Sequence, residues 1–196
     1  ITFAEKVRQA HEEMLKAGCE GEYAKAVMCY LALTLDKLIM FSSSNCTWKV
    51  DTTQVINAFV GRQAIQMTWD YFEMVPSSGI SASWPNLINV LKKSFNILEE
   101  IGTGAKVIQS SATFLQYPDN FFDAVLTDPP YYDNIPYSYL SDFFYVWLKR
   151  SIGNLYPDLF STPLTPKKNE IVAYSNGPGG WEDGKAFFED MLKKAF

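Results

Sequence analysis

The stretch FDAVLT at 122–127 runs without a break into Asp128-Pro129-Pro130-Tyr131, and this junction limits the fold more than any other feature of the sequence. Proline fixes φ and has no N–H to donate, so two in succession stop a helix or a central strand at Asp128. The six residues before Asp128 are almost wholly apolar, with a single charge at Asp123. A short apolar run of this kind is the pattern of a strand covered on both faces, as in a parallel sheet. A second β-type run, Lys106-Val107-Ile108-Gln109, is separated from it by the turn residues Pro118-Asp119-Asn120. Strand, loop, strand, loop and then a helical pattern over 138–150 predict an α/β fold. In it 106–109 and 122–127 are neighbouring parallel strands, and Asp128 stands at their carboxyl edge.

Upstream the period changes. Phe3, Val7, Ala10 and Met14 recur at helical spacing, and Gly18 offers a stop. A second helix is predicted over 22–40 and a third over 62–72. A fourth starts at Ser83-Trp84-Pro85, carries Leu87, Leu91, Phe95 and Leu98, and ends at Gly102. The chain therefore divides into a mainly helical region, 1–101, and a mixed α/β region, 102–196, that carries the Pro-Pro loop. A last helical pattern over 185–192 runs on towards Phe196. Neither Ile1 nor Phe196 resembles a natural terminus, and the chain is expected to be a piece of a longer protein.

Several classes of protein are disfavoured. Hydrophobic residues at 47% and charged ones at 20% suit a packed domain, not a disordered segment. The longest apolar run, 26–41, is broken by Asp36-Lys37, a pair too costly for a membrane span, so no membrane partner is expected. Three cysteines without CxxC spacing are neither a disulfide framework nor a zinc site, and a reducing cytoplasm follows as the expected location. The lone His11 has no second ligand at helical spacing, so no metal is expected. Net charge is −5, and the cation pairs Lys92-Lys93, Lys149-Arg150 and Lys167-Lys168 each read as a solvated face.

In open α/β sheets, ligands bind beyond the carboxyl ends of the strands. A carboxylate, two locked prolines and an aromatic ring at that edge suit one difficult reaction. The exocyclic amino nitrogen of adenine or cytosine is a poor nucleophile because its lone pair is delocalised into the ring. If Asp128 accepts one amino hydrogen and the Pro129 carbonyl the other, the nitrogen pyramidalises and its lone pair faces an electrophilic methyl. Tyr131 then stacks on the face of a base taken out of its helix. The plainer alternatives are a strand-ending turn, or an exposed Pro-Pro-x-Tyr peptide that docks in an aromatic groove.

DPPYYDN followed by SDFFYVWLKR, the wider stretch 105–171, and much of FVGRQAIQMTWDYFEMVP at 59–76 resemble the archaeal and bacterial adenine-specific DNA methylases that contain a zinc ribbon. The resemblance implies a partial Rossmann-like methyltransferase sheet of parallel strands with a helical N-terminal half. It implies S-adenosylmethionine as cofactor and methyl transfer to the amino group of a base in DNA, adenine foremost. RNA or a protein glutamine are the related acceptors, and a non-catalytic scaffold or binding fragment is the alternative from another class. By the same resemblance Asp128, Pro129, Pro130 and Tyr131 are the catalytic loop, and Ser111 and Ala112 lie near the donor's adenine. Tyr132 and Asn134 are expected at the substrate. The family's glycine-rich donor loop is absent, since Gly102-Thr103-Gly104 precedes a strand instead of following one, and the zinc-ribbon cysteines are absent too. The chain alone is thus expected to be inactive. Missing parts of its own chain or a partner subunit would complete it, and DNA would be bound through the full-length protein.

Overall fold

Five helices and one hairpin form the regular structure of the described residues, which in this computed structural model are 2–59, 64–102, 104–133, 135–174 and 180–196. The chain divides into two units. The first comprises Ile1–Gly102 and Tyr139–Thr165, and the second Thr103–Ser138 and Pro166–Phe196.

In the first unit, α1 (Thr2–Lys16) buries Ala4 and Val7, one turn apart on the face the apolar spacing marks out. It stops where Gly18 takes a positive φ of 85°, a conformation open to glycine at little cost. The second helix, α2 (Gly21–Phe41), starts on an unheralded cap. Both carboxylate oxygens of Glu20 accept backbone N–H bonds, from Glu22 at 2.9 Å and Tyr23 at 2.7 Å. Those donors hold the Glu20 carboxyl below its usual range. Met28, Ala32, Leu35 and Leu38 of α2 form the centre of the core, with Val7 from α1 and Ile152.

The third helix, α3 (Trp84–Ile101), has Pro85 in its first turn and Gly102 just past its end at φ 76°. Between α2 and α3 a hairpin pairs β1 (Thr47–Lys49) with β2 (Gln54–Ile56) antiparallel, Trp48 opposite Val55. The Trp48 ring stacks on Phe72 at 4.9 Å. Residues 64–72 are irregular where the sequence predicts a helix, and 62 and 63 lie outside the described residues. The fourth helix, α4 (Tyr137–Ile152), belongs to the first unit from Tyr139 onward, where Phe143 and Phe144 pack on Phe59 at 5.3 and 5.0 Å.

The expected Rossmann-like sheet of parallel strands is not formed. Among the described residues the only sheet is the two-stranded antiparallel hairpin, and the fold is predominantly helical. Residues 106–109 and 122–127 are irregular, and Val107 and Leu126 are 91% and 96% exposed. The physical reason lies in what a parallel pair requires. Its connection must cross over, normally as a helix, and helices must then cover both faces. The connection here, 110–121, holds only turns, and among the described residues no neighbouring strand presents an edge. Apolar, β-prone side chains without a cross-strand partner have nothing to stabilise an extended conformation. Asp128 therefore stands on an irregular loop and not at a sheet edge.

The second unit is held instead by α5 (Gly180–Ala195) and the segment 170–174. Phe188 of α5, Val172 and Ala173 are its buried apolar residues. Gly184 is packed so tightly on the Tyr174 carbonyl that a Cβ there would overlap it. Tyr117, Phe121 and Phe122 form a separate ring cluster, with centroids 4.7–4.9 Å apart.

Candidate functional site

The loop 128–133 is anchored on one side and open on the other. Tyr132 adopts a positive φ of 51°, and its N–H bonds the Pro130 carbonyl at 3.1 Å across Tyr131. This tight reversal gives the two adjacent tyrosines different surroundings. The Tyr132 ring meets Phe188 edge-on at 4.7 Å and Trp181 at 5.8 Å, and its carbonyl accepts the Ala173 N–H at 3.2 Å. Tyr131, by contrast, is 57% exposed. Of the two rings, Tyr131 offers a face to a ligand, while Tyr132, expected at the substrate, is engaged in packing.

The polar groups follow the same division. Asp128 is exposed, and neither its carboxylate nor the Pro129 carbonyl is engaged by any hydrogen bond among the described residues. The Pro130 carbonyl is taken up by Tyr132. Asn134 lies outside the described residues.

Ser111 and Ala112 sit on an exposed turn closed by the bond from the Phe114 N–H to the Ser111 carbonyl at 3.1 Å. The Ser111 hydroxyl is paired with Thr113 Oγ1 at 2.9 Å. An open turn whose hydroxyl is already engaged does not enclose an adenine ring, so these two residues by themselves do not fit S-adenosylmethionine. His11 is half-buried on α1. Among the described residues no group of three or more His, Cys, Asp or Glu side chains is placed to hold a metal, and no helix is long and apolar enough to cross a membrane.

One supporting residue escapes the sequence entirely. Glu170 accepts hydrogen bonds from the Ser138 N–H at 2.7 Å, the Ser138 hydroxyl and the Tyr174 hydroxyl. A carboxylate at the first turn of α4 satisfies the orphan Ser138 N–H and complements the helix dipole, which fixes the start of that helix. A lone Glu 32 residues downstream of Ser138 gives no signal of that role. Glu170→Ala is expected to cost about 1–3 kcal/mol, because three buried or half-buried donors lose a charged acceptor. Chemical denaturation checks the size. Hydrogen exchange checks the location, with protection falling first at the start of α4.

No family model, curated protein or solved structure matches the chain.

Proposed function

We propose that this chain supplies the acceptor side of an S-adenosylmethionine-dependent amino-methyltransferase, holding the exocyclic amino group of a base in DNA, adenine foremost. The observation that supports it most is the pair of unengaged acceptors at Asp128 and Pro129 beside the open ring of Tyr131, on a loop anchored through Tyr132. In this proposal the Asp128 carboxylate and the Pro129 carbonyl each accept one amino hydrogen, and Tyr131 stacks on the base. Pro130, the next residue, restricts ψ of Pro129 and with it the direction in which the Pro129 carbonyl faces. Ser111 and Ala112 contribute at most an edge of the donor site.

The test is methyl transfer by the full-length protein from isotopically labelled S-adenosylmethionine to DNA, to RNA and to a glutamine-containing peptide, with products read by mass spectrometry. Label on an adenine amino group of DNA is the expected result. Label on RNA or glutamine alone moves the acceptor class, and no label on any of the three overturns the assignment.

A further inference from the structure

Helix α3 carries more apolar surface than its neighbours cover. One flank faces the core: Leu87 is buried, Trp84 packs beside it, and Phe95 meets Tyr30 of α2 edge-on at 4.7 Å. The adjoining flank is bare, with Val90, Ile97, Leu98 and Ile101 53–63% exposed. At about 3.6 residues per turn, Val90, Ser94, Ile97 and Ile101 fall within an arc of about 60°, and Leu98 joins that arc to the packed flank. Steps of four, three and four residues are the alternation of the two seam positions in a helix pair. Single exposed apolar residues are ordinary, but a continuous stripe along one helix marks a contact surface. Its one polar member, Ser94, donates its hydroxyl hydrogen to the Val90 carbonyl at 3.1 Å, so covering it leaves no donor unpaired.

We propose that this stripe docks a second copy of the chain, α3 against α3 in antiparallel orientation. The charges beside the stripe select that partner. Lys93 and Glu100 border it on the side away from α2, both exposed, and neither side chain is in an ion pair or hydrogen bond among the described residues. When two α3 helices run antiparallel about a two-fold axis, Ser94 of each copy faces Ile97 of the other, and Val90 faces Ile101 at both ends of the seam. That register sets Lys93 of one copy beside Glu100 of the other, twice over, in the flanking positions where helix pairs carry their salt bridges. A parallel pair would set Lys93 beside the apolar Leu98 and leave Glu100 facing chain beyond the end of α3. A membrane-surface helix needs a cationic border, whereas on α3 Lys92 and Lys93 are cancelled by Glu99 and Glu100. One short seam makes a small interface, so the dimer is expected to be weak and concentration-dependent. The proposal rests on α3 alone and is independent of the Asp128 loop.

The test is sedimentation velocity of the full-length protein from about 1 µM to about 1 mM at low salt, with the melting temperature of every variant measured alongside. A monomer–dimer equilibrium is expected for the parent. Ile97→Asp should weaken it at least about tenfold by burying a charge in the seam. Lys93→Glu and Glu100→Lys should each weaken it about three- to tenfold, because two pairs of like charges then meet across the axis. Lys92→Glu makes the same charge change on the opposite face of α3 and should have no effect. Mixing the Lys93→Glu and Glu100→Lys variants should recover dimer at the parent's strength, since every flanking pair between the two chains is again of opposite sign, and the double variant should recover it alone. A folding defect gives no such recovery. A parent that stays monomeric throughout overturns the proposal, and transfer of that monomer to phosphatidylglycerol vesicles through Ile97 would assign the stripe to a membrane. A dimer indifferent to Ile97→Asp places the contact elsewhere. Charge variants that fail to recover on mixing overturn the antiparallel pairing.

Discussion

Asp128→Ala is expected to slow single-turnover methyl transfer by about 100- to 1000-fold, about 3–4 kcal/mol in barrier, as for loss of one preorganised polar group in a reaction centre. Stability should be unchanged, because the carboxylate is exposed and unengaged among the described residues, so its removal leaves nothing buried and unpaired. Tyr131→Phe should retain most activity, since the ring face stays. Tyr131→Ala should lose about 1–3 kcal/mol of stacking. A loop that is only a turn gives the opposite pattern, with melting temperature lowered in all three variants and no selective effect on rate. An Asp128→Ala protein that methylates at the parent rate removes Asp128 from the chemistry.

The largest effect expected on stability comes from Asp36, in the middle of α2. Its side chain is only 7% exposed, and Oδ1 is buried without a hydrogen-bond partner. Burial pushes its carboxyl up from the ordinary 3.8 to about 7. The direction of the pH effect follows from proton counting. Below about pH 4 the group is protonated in both folded and unfolded chains and contributes no difference. Between about pH 4 and about pH 7 the folded chain holds a proton that the unfolded chain has released, so stability falls as pH rises. Above about pH 7 the full penalty is present, at most about 4 kcal/mol. Asp36→Asn removes the titration, and Asp36→Leu also removes the buried polar atom beside Leu35 and Leu38. Denaturation at about pH 5 and about pH 8 should show the parent losing stability between them and both variants nearly level across this range. A parent and an Asp36→Asn variant with the same pH profile would place the ionised carboxylate in a solvated or paired site instead.

What sequence could and could not reveal follows from the range of the interactions. Helices α1 and α3 were legible because their signals are local: Val7 one turn after Ala4, Gly18 and Gly102 at positive φ, and Pro85 in a first turn. Even there the detail shifts, since the Ser83 hydroxyl bonds the Ile80 carbonyl at 2.7 Å and does not cap α3. The strands at 106–109 and 122–127 were misread because β structure depends on a partner, and composition says nothing about whether one is present. The hairpin at Thr47–Lys49 and Gln54–Ile56 was missed for the converse reason, its strands being three residues each and too short to show alternation. At the candidate site, residue types marked the acceptors at 128 and 129. Only coordinates could separate Tyr131 from Tyr132, or bring Glu170 to Ser138, since each depends on contacts distant in sequence.

The close seat of α5 on Tyr174 bears on which sequences this chain can drift through. At position 184 even a methyl group must displace a backbone carbonyl, and a backbone cannot swing aside as the tip of a side chain can. Its neighbours Asp183 and Lys185 are exposed, so substitutions there meet no such obstacle. Glycine is therefore the one residue on that turn of the helix without a substitute, and any replacement that survives should be accompanied by a change in the 172–174 segment.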